Sequence, residues 1–175
     1  KVPEDVTAAG LRQHLVRQWP SFLALVTSFA TITVMWMNHH MLFGLIRRVD
    51  RPLLLLNAWL LFGTSVVPYP TALVAHQLGH EGDRLAAGIY SGTFVFLALG
   101  YNALWRYASS PRRQPTLLRL AHDSEEVRAI HAQYRWGPAW YAAALIASTV
   151  NAEISVAIDL ALAVFFALPP RGRPG

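Results

Sequence analysis

Residues 20–43 read PSFLALVTSFATITVMWMNHHMLF, an apolar run that closes on a tryptophan, an asparagine and two adjacent histidines. About 20 apolar residues rising about 1.5 Å each cross about 30 Å of hydrocarbon, so the run is long enough to span a bilayer. Asn38, His39 and His40 lie inside it, where an unpaired polar group costs several kcal/mol. A greasy helix that keeps three such side chains is using them.

Working outward, the rest of the chain is of the same kind. Apolar residues make up 54% of it and charged residues 14%, against roughly 25% charged in a soluble domain, and mean hydropathy is +0.31. Four more apolar runs follow, at Leu53–Ala75, Leu85–Tyr107, Gly137–Val150 and Ile154–Leu168. The last two are short and separated by Asn151 and Glu153; they read as two spans joined by a tight turn, or as one long broken helix. No stretch alternates as a barrel strand would. The absence of cysteine excludes a disulfide framework and any thiolate metal or haem-attachment site. Lys1–Gly10 has no apolar core of the signal-peptide kind.

Charge gives the orientation. With five spans, Arg47, Arg48, Arg51, Arg106, Arg112, Arg113, Arg119, Arg128, Arg135, Arg171 and Arg173 fall on one side, and only Lys1, Arg12, Arg17 and Arg84 on the other. Basic residues concentrate on the cytoplasmic side, which puts the C-terminus inside and the first residue outside. That arrangement leads to the expectation of a six-helix subunit whose first helix precedes Lys1. Fourteen arginines to one lysine suggest a GC-rich bacterial genome, hence a multi-pass protein of a bacterial inner membrane.

Between the spans the chain is economical. Val2–Trp19 reads as an outer loop or short amphipathic helix, and Arg47–Arg51 as a tight inner turn. Pro68 and Pro70 are expected to bend the second span, with Thr64 and Ser65 bonding the carbonyls the prolines leave free. Gly88 and Gly92, with Gly100 beyond, predict a stripe along which another helix approaches closely. Residues 109–135 form the largest soluble piece, with Asp123 and Glu126 spaced as a helix cap and its return partner. The tail 169–175, PPRGRPG, reads as disordered. There is no internal repeat, and residues 1–175 read as a single integral membrane domain.

Counting 1.5 Å per residue places Asn38, His39 and His40 roughly 10–13 Å from the Arg47 end. Asn57 enters the next span at nearly that depth, and Asn102 lies close to the same layer. Such a slab fixes helix register and rotation when satisfied. Neighbours on a helix point about 100° apart, so His39 and His40 cannot share one partner. A proton-relay or pH-sensing His is a second reading. Haem ligation is a third, although it wants a His on each of two facing spans and none other carries one. His76 and His80 with Glu81 have a spacing that fits zinc but lie at a span end, so no metal is assigned. Asp159 is an acid within the last run, a functional candidate by position. Hydrolase, metalloprotease, phosphate-loop and T-V-G-Y-G signatures are absent, and the basic face needs no nucleic acid to explain it.

The stretch SFATITVMWMNHHMLFGLIRRVDRPLLLLNAWLLFGTSVVPYPTALV resembles the second and third helices of the transmembrane protein 175 family, bacterial relatives of the endolysosomal potassium channel. The likeness rests on Trp36, Asn38, His39, His40, Phe43, Arg47, Arg48, Asp50, Leu54, Asn57, Pro68, Pro70 and Thr71, in order and without gaps. It continues loosely from Tyr90 to Trp105. It implies a six-helix subunit, a homotetramer and a K⁺-permeable pore lined by a first helix bearing a Phe-Ser-Asp signature, which these 175 residues do not contain. By position it carries over a supporting network of Trp36, Asn38, His39, His40 and Asn57, expected to anchor the pore helix. The whole reads as an all-α polytopic bundle with five visible spans, a non-enzymatic channel subunit without cofactor, K⁺ being the permeant ion. Its partners are further copies of itself and the lipid bilayer, with no nucleic acid. The alternatives are a membrane haem or redox protein and a non-conducting scaffold.

Overall fold

The computed structural model describes residues 18–111 and 116–168, and among these every regular element is a helix. Helix α1 spans Trp19–Leu45, α2 Arg51–Val66, α3 Pro68–Gln77, α4 Asp83–Ala108, α5 Glu125–Tyr134, α6 Gly137–Ser148 and α7 Ala152–Ala167. Three stretches are long and apolar enough to cross a membrane: Ser21–Leu45, Arg51–Gln77 (α2 continued by α3) and Asp83–Ala108. The protein is a polytopic membrane helical bundle. The expected outer helix or loop before Trp19 and the tail 169–175 lie outside the described residues.

Helix α4 is the axis of the bundle. Tyr90, Phe94, Leu97, Tyr101, Leu104 and Trp105 recur at helical spacing and are all nearly buried. On one side α4 packs along α6 and α7, on the other along α2 and α3, while α1 lies against α3 and α7. Helices α6 and α7, about 18 and 24 Å long at 1.5 Å per residue, form a hairpin rather than one broken helix. Its turn closes where the Val150 and Asn151 N–H groups donate to the Ala147 carbonyl. Asn151 then caps α7 by accepting from the Ile154 N–H at 2.8 Å.

Several local expectations are corrected. Val67 interrupts the second span, and Pro68 begins α3. The Thr64 carbonyl that Pro68 leaves free accepts instead from the Val67 N–H. The Thr64 hydroxyl turns to Met35 Sδ and the Ser65 hydroxyl donates to the Leu61 carbonyl, so neither serves a carbonyl freed by proline. Ser124, not Asp123, caps α5: its Oγ accepts from the Val127 N–H at 3.3 Å, which places both Glu125 and Glu126 in the first turn. The glycine stripe also divides. A Cβ on Gly88 would sit 3.2 Å from Ser148 Oγ, and one on Gly100 2.8 Å from Leu60 Cδ2 on another helix, whereas Gly92 has nothing within 4 Å. Within the subunit, Gly88 alone of the expected pair allows close approach.

The α1–α2 turn has an unforeseen partner. The Arg47 N–H donates to the Leu117 carbonyl at 2.7 Å, and the Arg119 N–H to the Leu45 carbonyl at 2.8 Å. This short antiparallel contact pins the segment after α4 onto the end of α1. Asp50 caps α2 through the Leu53 N–H and also accepts from the Tyr107 hydroxyl at 2.8 Å. One carboxylate thereby ties the turn to α4.

Candidate functional site

The polar residues that depth counting assigned to one slab fall into two hydrogen-bonded networks on different sides of α1. The first is built on Asn38. Its Nδ2 donates to the Val34 carbonyl one turn back and, at 2.9 Å, to the Phe166 carbonyl at the end of α7. Its Oδ1 accepts from the Tyr134 hydroxyl at 2.8 Å. The Tyr134 carbonyl accepts from Asn102 Nδ2 on α4, also at 2.8 Å. Tyr101, one residue before, donates its hydroxyl to the Met35 carbonyl of α1 at 2.7 Å. Helices α1, α4, α5 and α7 are therefore joined by amides and phenols alone, with no formal charge in the chain of bonds.

Rings surround these bonds. Tyr101 and Tyr134 stack with centroids 6.1 Å apart, Tyr134 and Phe166 at 5.7 Å, and Tyr141 and Phe166 at 6.1 Å. Between them is a cavity of about 60 Å³ lined by Asn38, Tyr101, Asn102, Tyr134, Tyr141 and Phe166 among others. Its wall is mostly apolar, with Asn38, Asn102 and the tyrosine hydroxyls supplying polar atoms.

The second network is smaller. His39 Nε2 lies 2.7 Å from Asn57 Oδ1 on α2, so this ring nitrogen is protonated and donates. The imidazole stacks on Phe43 one turn on, at 4.3 Å, which fixes its rotation. His40 points about 100° away, as the helical step requires, and is exposed. It stacks on Trp36, itself 62% exposed, with ring centroids 5.5 Å apart. The five residues expected to form one support thus separate. Asn38 faces the α4–α7 side, His39 and Asn57 face each other, and Trp36 and His40 form an outward aromatic patch.

Elsewhere, His76 lies 3.2 Å from Ser21 Oγ and His80 Nδ1 lies 3.3 Å from the Leu78 carbonyl. Asp159, at 2% exposure, is held in the α4–α6–α7 interface beside Ser91 and Ser155. His131, on α5 outside the apolar spans, sits beside Ser109 Oγ at 3.2 Å and against the Trp105 ring. Burial, and then the nearby Arg106 charge, hold it below the ordinary imidazole value. Sequence reasoning missed Tyr101 and Tyr134, which carry half of the Asn38 network. The available signal was a run of tyrosines at 90, 101, 134 and 141 whose hydroxyls need partners once buried.

The two networks join α1 to α2, α4, α5 and α7 through hydrogen bonds and stacked rings. Residues 1–68 match the family model described as "Endosomal/lysosomal potassium channel TMEM175". A potassium channel of Chamaesiphon minutus is 43% identical over 96% of this chain and 82% of its own length. A potassium channel of Streptomyces collinus is 35% identical over 95% of this chain and 80% of its own. The crystal structure of a lysosomal potassium-selective channel TMEM175 homologue from Chamaesiphon minutus superposes with a TM-score of 0.77 and 40% identity, over 98% of this chain and 86% of that one. On identity and coverage together, this chain belongs to the TMEM175 family, membrane ion channels rather than enzymes.

Proposed function

We propose that this chain is the pore-forming subunit of a homo-oligomeric, K⁺-permeable cation channel, most simply a homotetramer. The observation that carries the reading is the pair of relatives named as potassium channels, each matched along nearly all of this chain. The exposed surface supports self-association in a bilayer. Phe22, Leu25, Val26 and Phe29 on α1, and Leu55 and Phe62 on α2, are large apolar side chains at least half exposed in the single subunit. Lipid and further copies of the chain are the surfaces that would cover them. The basic clusters at Arg47–Arg51 and Arg106 favour a cytoplasmic C-terminus in a bacterial inner membrane. Residues 1–175 act as one membrane domain, with K⁺ as permeant ion and no cofactor.

In this reading the Asn38 and His39 networks hold α1 in fixed rotation, so that whatever lines the pore rests on a rigid support. Trp36 and His40 present the outward side of the same layer to a neighbouring element. Pro68 and Pro70 set the break between α2 and α3. The haem or redox and scaffold alternatives have no support from the relatives.

K⁺ flux from proteoliposomes holding the full native gene product tests the proposal. Release above empty vesicles, suppressed when Na⁺ replaces K⁺, is the expected result. No flux in vesicles that release K⁺ normally with valinomycin would sink it.

A further inference from the structure

Asp159 lies about 10 Å down α7 from its first residue, at 1.5 Å per step. Its surroundings permit a proton inventory. Three oxygen–oxygen contacts run in series from it. Asp159 Oδ2 lies 2.5 Å from Ser91 Oγ, Ser91 Oγ lies 2.9 Å from Ser155 Oγ, and Ser155 Oγ lies 2.8 Å from the Ala144 carbonyl oxygen. Each contact at hydrogen-bond length needs one proton between its two oxygens. A carbonyl has none to give, so the Ser155 proton is committed to Ala144. Ser91 then holds one proton for two contacts. If it donates to an ionised Asp159, the Ser91–Ser155 pair faces oxygen to oxygen without a proton. If it donates to Ser155, the contact with Asp159 must be filled from the carboxyl itself. Two hydroxyls supply two protons for three contacts, and the third proton is on Asp159.

The rest of the environment agrees. Asp159 Oδ1 is buried and has no hydrogen-bond partner, which a carbonyl oxygen of a neutral acid tolerates far better than a carboxylate does. No basic side chain among the described residues pairs with it. Tyr90 on α4 and Tyr141 on α6 are the titratable groups within electrostatic reach, and neither carries positive charge. On α7 itself Glu153 is exposed to the outside of the bundle.

We propose that Asp159 is a proton-binding site, a neutral carboxylic acid whose O–H heads a bond chain through Ser91 and Ser155 to Ala144. That chain fastens α7 to α4 and α6. Loss of the proton leaves one contact of the three unfilled and a bare charge in the interface, so the docking of the α6–α7 hairpin depends on proton occupancy.

The test is infrared spectroscopy of the full protein in lipid at neutral pH, with aspartate carboxyl carbons labelled with ¹³C. The expected result is a protonated-carboxyl C=O band that shifts with the label and is absent in Asp159→Asn. Thermal unfolding supplies a second readout. The site takes up a proton on folding, so the folding equilibrium of the wild type should weaken as pH rises above the ordinary carboxylate range, by up to about tenfold per pH unit. Asp159→Asn, which keeps a donor and no charge, should not follow. Absence of the labelled band at neutral pH, or parallel pH profiles for the two proteins, would overturn the proposal. If Asp159→Asn fails to fold, the labelled wild-type band alone decides.

Discussion

Helices α1 and α4 are nearly equal in length, at 27 and 26 residues, and both are apolar enough to cross a membrane. Their places in the molecule are opposite. Helix α4 is buried along most of its length by α2, α3, α6 and α7, while α1 leaves Phe22, Leu25, Val26, Phe29, Trp36 and Met37 exposed. Lipid tails are as apolar as leucine, so hydrophobicity cannot sort helices into centre and edge. Small residues and paired polar groups do the sorting. Gly100 and Ala98 let α2 and α6 reach α4, and Ser91, Tyr101 and Asn102 bond to its neighbours.

Two tryptophans give the sharpest test of that contrast. Trp105 on α4 is 1% exposed, and Trp105→Ala should cost about 3–5 kcal/mol in thermal or denaturant unfolding of the detergent-solubilised subunit. Trp36→Ala on α1 should change the same measurement by no more than about 0.5 kcal/mol. Equal losses would break the distinction between the helices.

Next in size are the glycines. A Cβ on Gly63 would stand 2.6 Å from Leu97 Cδ2 and 3.1 Å from its Cγ, so Gly63→Leu should push α2 from α4 and cost about 1–3 kcal/mol. Gly92→Ala meets nothing within 4 Å and should be neutral or mildly stabilising. The sharper contrast would fail if Gly92→Ala lowered subunit stability as much as Gly63→Leu does.

Asn38 binds α1 to α5 and α7, beside the Tyr101 bond from α4 to the Met35 carbonyl. Asn38→Leu strands the Phe166 carbonyl and the Tyr134 hydroxyl, with an expected loss of about 1–2 kcal/mol. Tyr134→Phe in the same background should then add little, because its partner is already gone. A fully additive double mutant would show that the two residues do not act as one network.

The smallest effect is a pH dependence at α5. The His131 value is depressed in the folded protein, by burial first and the Arg106 charge second. The unfolded chain therefore takes up a proton at higher pH than the folded one. Stability from this group is present above the ordinary value of 6.5 and is lost as pH falls below it. His131→Gln should flatten that acid limb, and an unchanged limb would assign it to another group.

Much of the fold was legible in the residues. Apolar run length gave the spans, and the depth of Asn38, His39 and Asn57 gave one layer, because rise per residue is nearly constant along a helix. Rotation about the helix axis was not legible in the same way. It sent Asn38 and His39 to different sides of α1 and brought Tyr101 and Tyr134, 33 positions apart, into one network. The Asp123 cap failed because Ser124 is an equally good acceptor one step nearer the helix, and local sequence does not rank the two. The Thr64 and Ser65 expectation failed because a hydroxyl chooses among several nearby acceptors, and their geometry depends on where the backbone breaks.

The sequence by itself determined that this is a helical membrane protein, how many apolar segments it has, and how far along each segment its polar groups lie. Those follow from hydropathy, length and a fixed helical rise, each a property of one segment. Only the tertiary structure decided that α4 is central, that Gly88 packs while Gly92 does not, and that Asp159, Ser91, Ser155 and Ala144 share one line of hydrogen bonds. Those depend on which faces meet, and in a bilayer that choice is made by packing and by the pairing of polar groups across helices.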